Sequence, residues 1–186
     1  ADEAGLPVAI KSRAVQEAGR ILEAARIQAA WTEIDPPQPD LPFNPERQEA
    51  DLFIRILPRD VAERLAPRGS VFGVAAPVGA GHFRWLASVF PHRAAELGQD
   101  AGTEVGLLLG HFIAHEIGHL LLGSNTHAAS GIMSSPWGTA GMTEAARGRL
   151  LFSESQASRM RANVRARLES ECLMRTATDS HRRATP

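Results

Sequence analysis

The sequence predicts a mixed α/β (α+β) domain, and three observations lead to this expectation. A length of 186 residues fits one domain, residues 1–186, that can bury a substantial core. Two long helical patterns with three short apolar runs between them predict two main helices and a twisted mixed sheet. With 44% hydrophobic residues and a formal net charge of −1, the composition is typical of a globular domain and argues against an electrostatic nucleic-acid binder.

The first predicted element is a backing helix. Apolar residues recur at helical spacing over residues 12–30, which predicts an amphipathic helix lying on the core. Residues 31–34 alternate between apolar and polar and predict a half-buried strand. Five prolines then fall within residues 35–49, so we expect a long loop there.

The predicted sheet comes next. Residues 52–57, 71–76 and 83–90 are strand candidates, separated by turns rich in Gly and Pro. A short helix is predicted at residues 61–65.

The second main helix is predicted at residues 103–122, where apolar residues keep helical spacing. Gly123 is a natural end for it, because glycine tolerates the left-handed conformation just beyond a helix. This is also the longest apolar stretch, but histidines and a glutamate interrupt it, so we expect no membrane span.

The remainder predicts a smaller C-terminal lobe. Residues 124–146 are rich in Gly, Ser, Thr and Ala and are expected to be largely irregular. Ser153 and Gln156 have the spacing of a capping box, which predicts a helix from residue 153 to 168. We therefore expect an N-terminal lobe at 1–123, a C-terminal lobe at 124–175 that ends in a helix, and a flexible tail at 176–186.

Residues 115–119 read His-Glu-Ile-Gly-His, the motif that carries the candidate chemistry. Helical residues four apart share a face and lie about 6 Å apart along the axis, so His115 and His119 can converge on one Zn²⁺ ion. Glu116 then lies beside the metal, where it can take a proton from a water molecule and later deliver it to a leaving amine. The motif predicts a zinc hydrolase in which Glu116 is the general base.

A catalytic zinc site needs a third protein ligand and one open position. Because Gly123 permits a sharp turn, the chain can bring His127 back to the metal, and His127 is the preferred third ligand. A tight turn at residues 130–133 would place Met133 beneath the ligands as an apolar floor. The alternatives are carboxylates, namely Glu144, Glu154 and, less favoured, Asp179.

This order of residues resembles the metzincin clan of zinc metallopeptidases, whose signature is His-Glu-x-x-His-x-x-Gly-x-x-His followed by a methionine turn. Here the glycine and the last histidine fall four and eight residues after the second histidine, rather than three and six, so the spacing is a lengthened variant. The resemblance implies a two-lobe zincin fold with zinc ligands, general base, hinge and methionine turn at His115, His119, His127, Glu116, Gly123 and Met133. The chain contains no Tyr, which some metzincins place after that turn.

The resemblance implies a zinc-dependent metalloendopeptidase that acts on a peptide or protein substrate, and we expect the chain to be a monomer. It also implies that the strand at 83–90 aligns an extended peptide by main-chain hydrogen bonds. Two other functions stay open, a non-catalytic zinc-stabilised binding module and a zinc amidase acting on a non-protein amide. The Ala-Asp-Glu start favours a secreted or periplasmic chain after signal-peptide removal, and it suits a trimmed chain equally.

The other notable side chains are interpreted as non-catalytic. His111 shares the helix face of His115 and is a conceivable alternative ligand, but a straight helix cannot aim three successive histidines at one ion, so it is expected to stay off the metal and at closest to support a ligand from behind. Cys172 is the only cysteine, which excludes an intramolecular disulfide and a zinc site built from several thiolates, and it is expected to be partly buried. Surface or core positions are expected for His82, His92, His181, Trp85 and Trp137.

Overall fold

The computed structural model describes residues 1–34, 52–66, 72–77 and 85–183, and the loop predicted at 35–49 lies outside these ranges. The described residues form six helices and three strands, in the order α1 (Val8–Ala24), β1 (Phe53–Ile56), α2 (Arg59–Leu65), β2 (Gly73–Pro77), β3 (Trp85–Val89), α3 (Pro91–Ala101), α4 (Val105–Leu122), α5 (Thr139–Ala146) and α6 (Glu154–Arg183). The fold is therefore mixed α/β, as predicted. The division into two lobes and the flexible tail stay predictions.

The three strands form one mixed sheet in the order β1-β3-β2. β1 is parallel to β3, whereas β2 is antiparallel to it. β3 is therefore the middle strand, and both of its edges carry ladder hydrogen bonds. This corrects the expectation that the strand at 83–90 aligns a peptide, because a strand bonded on both sides has no main-chain edge to offer.

Helix α4 is the central element of the fold. It packs against α1, against β2 and β3, and against α3, α5 and α6. Gly110 permits the close approach of α1, because a Cβ there would lie 2.6 Å from Glu17 Cβ and 2.7 Å from the Ala14 carbonyl oxygen. By length and composition α4 is able to cross a membrane, contrary to the expectation from its polar residues, but 89% of it is buried inside the protein.

The N-terminal helix is shorter than its apolar pattern. α1 ends at Ala24, and Arg26 has a left-handed φ of 58° that stops the helix. Ala25 and Ile27 are nevertheless buried, so the pattern continues because non-helical residues also contact the core. The strand predicted at 31–34 is wrong, since the sheet contains no partner for it among the described residues.

Two short helices were missed by the pattern. α3 has Pro91 in its first turn and the left-handed Gly102 at its end, which are the usual helix start and stop residues. α5 lies within residues 124–146, expected to be irregular, because its small residues give no clear apolar period. Met142 and Ala145 are its buried residues, so packing fixes this helix more than propensity does.

The capping box at the start of α6 is confirmed. The Ser153 backbone N–H donates to Gln156 Oε1 at 2.9 Å, and the Gln156 backbone N–H donates to Ser153 Oγ at 3.3 Å. The helix then continues to Arg183, beyond the predicted end at residue 168. Asn163 and Arg167 of α6 donate to the carbonyl oxygens of Leu121 and Leu120, both at 2.7 Å, and so satisfy acceptors in the last turn of α4.

Candidate metal centre

His115 and His119 lie one turn apart on α4 and face the same side, as their spacing predicts. Their Nε2 atoms are 3.0 Å apart, and their rings meet edge to face with centroids 4.6 Å apart. Both side chains are buried, with residue exposures of 3% and 7%. The helix therefore brings two imidazole nitrogens to one point in a largely dry environment.

The backbone fixes which nitrogen of each ring carries the proton. His115 Nδ1 is 2.7 Å from the Ile132 carbonyl oxygen, and His119 Nδ1 is 2.8 Å from the Ser124 carbonyl oxygen. A carbonyl oxygen can only accept, so both Nδ1 atoms donate and both Nε2 atoms keep a lone pair. This is the arrangement by which proteins orient imidazole ligands toward a metal ion.

Two lone pairs facing each other at 3.0 Å repel unless a cation lies between them. Bonds of 2.0–2.1 Å in a tetrahedral zinc site put two nitrogens roughly 3.3 Å apart, which is close to the observed separation. Burial also lowers the pKa of His115 to about 4 and lowers the pKa of His119, so both rings are neutral near pH 7. Neutral imidazole is the form that binds metals, and the pair fits a divalent ion.

His127 completes a group of three. One nitrogen from each of His115, His119 and His127 lies within 4.8 Å of the other two. The His127 ring centroid is 5.3 Å from that of His115 and 5.0 Å from that of His119. The structure thus brings together the three histidines that the sequence singles out, with His127 exposed and the other two buried.

The path of the chain after α4 explains this approach. Gly123 has a φ of 63°, and its N–H donates to the His119 carbonyl oxygen at 3.0 Å. The chain reverses, and the Ala128 N–H donates to the Met133 carbonyl oxygen at 2.8 Å, which joins the segment carrying His127 to the following turn. The left-handed Gly123 thus ends α4 and lets the chain turn, and its role as a hinge stays a prediction.

Met133 packs directly under α4. It is 1% exposed, and a Cβ on Gly118 would lie 2.5 Å from Met133 Sδ and 2.7 Å from the ring of Phe152. Gly131 has a φ of 75°, and its carbonyl oxygen accepts from both the backbone N–H and the hydroxyl of Ser134. The tight turn therefore holds a methionine against the helix position between the two buried histidines.

Glu116 lies in a confined space between α4 and β2. It is 3% exposed, and a Cβ on Gly73 would lie 2.7 Å from both Glu116 Cγ and Oε1. Burial raises the pKa of Glu116 to about 8, so its carboxyl group can accept and release a proton near neutral pH. Glycine at position 73 is what leaves room for this side chain.

His111 is not part of the group of three histidines. It is fully buried, its Nδ1–H donates to the Leu107 carbonyl oxygen at 2.9 Å, and its Nε2 lies 3.6 Å from Glu17 Oε1 on α1. Its ring meets the edge of Trp137, with centroids 6.0 Å apart. The ring of Trp137 meets both His111 and His115 edge to face.

The alternative carboxylate ligands are engaged elsewhere. Glu144 forms two hydrogen bonds with Arg149, and Glu154 forms one with Arg161, all on the surface. Neither joins the group of three histidines. The side chains of Asp179 and His181, and the whole of His82, lie outside what the structure describes.

The other side chains considered in the sequence are two tryptophans, one histidine and the cysteine. Trp137 is 4% exposed, as expected of a core residue. Trp85 lies under the Arg167 guanidinium, whose Cζ is 3.8 Å from the ring centroid. His92 is on α3, and its buried Nδ1 has no hydrogen-bond partner among the residues that the structure describes, so it is not simply solvated. Cys172 is exposed, which corrects the expected partial burial.

The sequence interpretation missed four contributors to the centre: the carbonyl groups of Ile132 and Ser124, and the residues Trp137 and Gly73. Main-chain carbonyls carry no residue-type signal, so no sequence pattern reveals the first two. Gly73 did carry a signal, because an isolated glycine within a strand indicates a close approach to it.

No protein-family model, curated protein or solved structure matches this chain.

Proposed function

We propose that this protein is a zinc-dependent metalloendopeptidase of the metzincin type, with a two-lobe fold and its catalytic cleft at the three histidines. One observation carries the proposal. The Nε2 lone pairs of His115 and His119 are aimed at one point by backbone carbonyls, with His127 on the open side and the buried Glu116 adjacent in sequence.

His115, His119 and His127 would hold the metal. Three imidazoles suit Zn²⁺, although they also accept other first-row ions. In the described part of the chain no fourth His, Cys, Asp or Glu joins this group. Three protein ligands with one position open is the arrangement of catalytic zinc sites, and structural sites are closed by a fourth ligand. When bound, Zn²⁺ supplies a Lewis acid that polarises a carbonyl and acidifies water.

Glu116 is the proposed proton carrier. Its carboxylate accepts the proton of the attacking water molecule and then donates it to the departing peptide nitrogen. In the metal-free chain burial raises the pKa of Glu116 to about 8, and a divalent cation bound beside it would favour the carboxylate that acts as the base. The confined space beside Gly73 restricts the carboxyl group to few positions, which favours a fixed transfer geometry.

We place the substrate along β2 rather than β3. In the described sheet β2 is an edge strand, and its Gly73 lies against Glu116. An extended peptide added to this edge would make main-chain hydrogen bonds beside the general base. Gly73 has no side chain and Ala75 is small and buried, so substrate preference would come from residues outside this edge.

The test compares wild type with Glu116→Gln and His127→Ala. Zinc content and cleavage of a mixed peptide library are measured on the same preparations. We expect Glu116→Gln to keep its zinc and to lose cleavage by about 10²–10⁴-fold, because glutamine has nearly the same shape but cannot carry the proton. His127→Ala is expected to bind zinc more weakly and to lose cleavage in parallel.

The other outcomes separate the competing functions. Stoichiometric zinc without cleavage of any peptide or non-protein amide would favour a zinc-stabilised binding module. Cleavage of a non-protein amide alone would favour an amidase. Absence of zinc binding would overturn the metal centre itself.

A further inference from the structure

The structure assigns Trp137 as a positioning residue for His115, acting through the carbonyl group of Ile132. This inference rests on the proposed metal centre and adds a residue that the metzincin-like motif does not contain. Trp137 touches neither His127 nor Glu116 in the described contacts, and its effect is directed to one of the three histidines.

The Ile132 carbonyl oxygen accepts two hydrogen bonds. His115 Nδ1–H donates to it at 2.7 Å, and Trp137 Nε1–H donates to it at 3.1 Å. A carbonyl oxygen has two lone pairs, so both acceptor positions are used. The Ile132 N–H also donates to the Leu151 carbonyl oxygen at 3.0 Å, which anchors the same peptide segment from its other side. The acceptor that orients His115 is thereby held at a fixed place.

The indole ring is itself confined. Its centroid lies 5.1 Å from that of Phe72 and 5.6 Å from that of Phe112, and it is 4% exposed. The ring also meets His115 edge to face, with centroids 5.9 Å apart and an interplanar angle of 77°. Trp137 therefore restricts His115 twice, by direct ring contact and by holding its hydrogen-bond acceptor.

The corresponding support of His119 is simpler. Its acceptor, the Ser124 carbonyl, receives a hydrogen bond from His119 alone among the described residues. Ser124 is half-buried at the helix end, whereas Ile132 is fully buried. Loss of the Trp137 N–H should therefore disturb one ligand and leave the orientation of the other unchanged.

Trp137→Phe in the full chain tests the inference, because phenylalanine retains an aromatic ring and removes the N–H donor. Phe72→Leu is the matched control, since it opens space in the same aromatic cluster without touching the Ile132 carbonyl. After removal of metal with a chelator, each protein is titrated with Co²⁺, whose visible spectrum reports ligand geometry. Zinc affinity is measured by competition, and thermal unfolding is followed without metal.

We expect Trp137→Phe to bind Zn²⁺ about 10-fold more weakly than wild type and to shift the Co²⁺ spectrum, as for loss of a hydrogen bond that orients a ligand. Phe72→Leu loosens the packing of the indole ring but keeps its N–H donor, so it should unfold at a lower temperature and lose much less affinity than Trp137→Phe. Should Trp137→Phe not fold, β-(3-benzothienyl)alanine at position 137 keeps the bicyclic ring and lacks only the donor.

Wild-type affinity and spectrum in Trp137→Phe would overturn the positioning role and leave the proposed function intact. Equal losses in Phe72→Leu would also overturn it, because a general weakening of the core would then explain both variants. A wild-type protein that binds neither Zn²⁺ nor Co²⁺ would overturn the inference together with the proposed function.

Discussion

The candidate centre takes its histidines from two regions that differ in burial and support. His115 and His119 lie on a buried helix, and backbone carbonyls orient both rings. His127 lies on an exposed segment after Gly123, where contacts with the two other imidazoles locate its ring. A side chain that is ordered in advance loses little conformational entropy when it binds, whereas an exposed one loses more. His115 and His119, the helix half of the centre, should therefore contribute more to metal affinity than His127, the loop half.

The largest expected effect is the loss of Zn²⁺ affinity when a helical histidine, rather than the exposed one, is removed. Structural zinc sites with four ligands bind by roughly 10–16 kcal/mol, or about 3 kcal/mol per ligand. We expect His119→Ala to weaken Zn²⁺ binding by on the order of 100-fold. For His127→Ala we expect a loss of only about 10-fold, since water can replace an exposed ligand. Competition with a chromophoric chelator at pH 7.5 measures both.

Glu144→Ala is the control for that pair, because Glu144 is a rejected alternative ligand held by Arg149 on the surface. It should bind Zn²⁺ as wild type does. Equal losses in His119→Ala and His127→Ala would mean that the loop holds its ligand as firmly as the helix does.

A second variant tests how rigidly the loop half meets the helix. A Cβ on Gly118 would lie 2.5 Å from Met133 Sδ, so Gly118→Ala must displace the methionine or the helix. We expect a loss of about 1–3 kcal/mol in the free energy of unfolding, as for overpacking of a core, measured by urea denaturation. Gly19→Ala is the matched control in α1, where the nearest neighbour is Trp31 Nε1 at 3.5 Å.

Gly19→Ala should stabilise the protein by up to about 1 kcal/mol, because alanine favours a helix over glycine. If Gly118→Ala is also neutral or stabilising, Met133 is free to move, and the turn does not form a fixed floor.

The smallest expected effect is the loss of stability in acid that His111, on α4, causes. Burial lowers the pKa of His111 below its ordinary value, and the Glu17 carboxylate offsets only part of this. Below a pH of about 6.5 the unfolded chain therefore binds a proton at this residue that the folded chain does not. The free energy of unfolding falls as the pH is lowered, and this one group contributes at most about 1.4 kcal/mol per pH unit to that fall.

His111→Gln removes the titration and can still donate to the Leu107 carbonyl oxygen. With EDTA present, urea midpoints between pH 7.5 and 5 should fall less steeply in this variant than in wild type. Parallel profiles would show that His111 does not carry the acid sensitivity of α4.

Much of the fold followed from local patterns in the sequence. The apolar period predicted α4, the Ser153 and Gln156 pair predicted the start of α6, and Gly123 predicted the end of α4. Residues 31–34 show the limit, because an alternating pattern becomes a strand only where another strand pairs with it. α5 shows the converse, since burial of Met142 and Ala145 stabilises a helix whose sequence has little period.

The sequence by itself determined that His115 and His119 share a helix face, because their spacing of four residues acts through helix geometry alone. It also ordered the glycine, the third histidine and the methionine along the chain. Only the tertiary structure decided that His127 approaches the pair, that Gly73 confines Glu116, and that the Ile132 carbonyl orients His115. These contacts join residues far apart in sequence, or use backbone atoms that every residue has, so no local pattern specifies them.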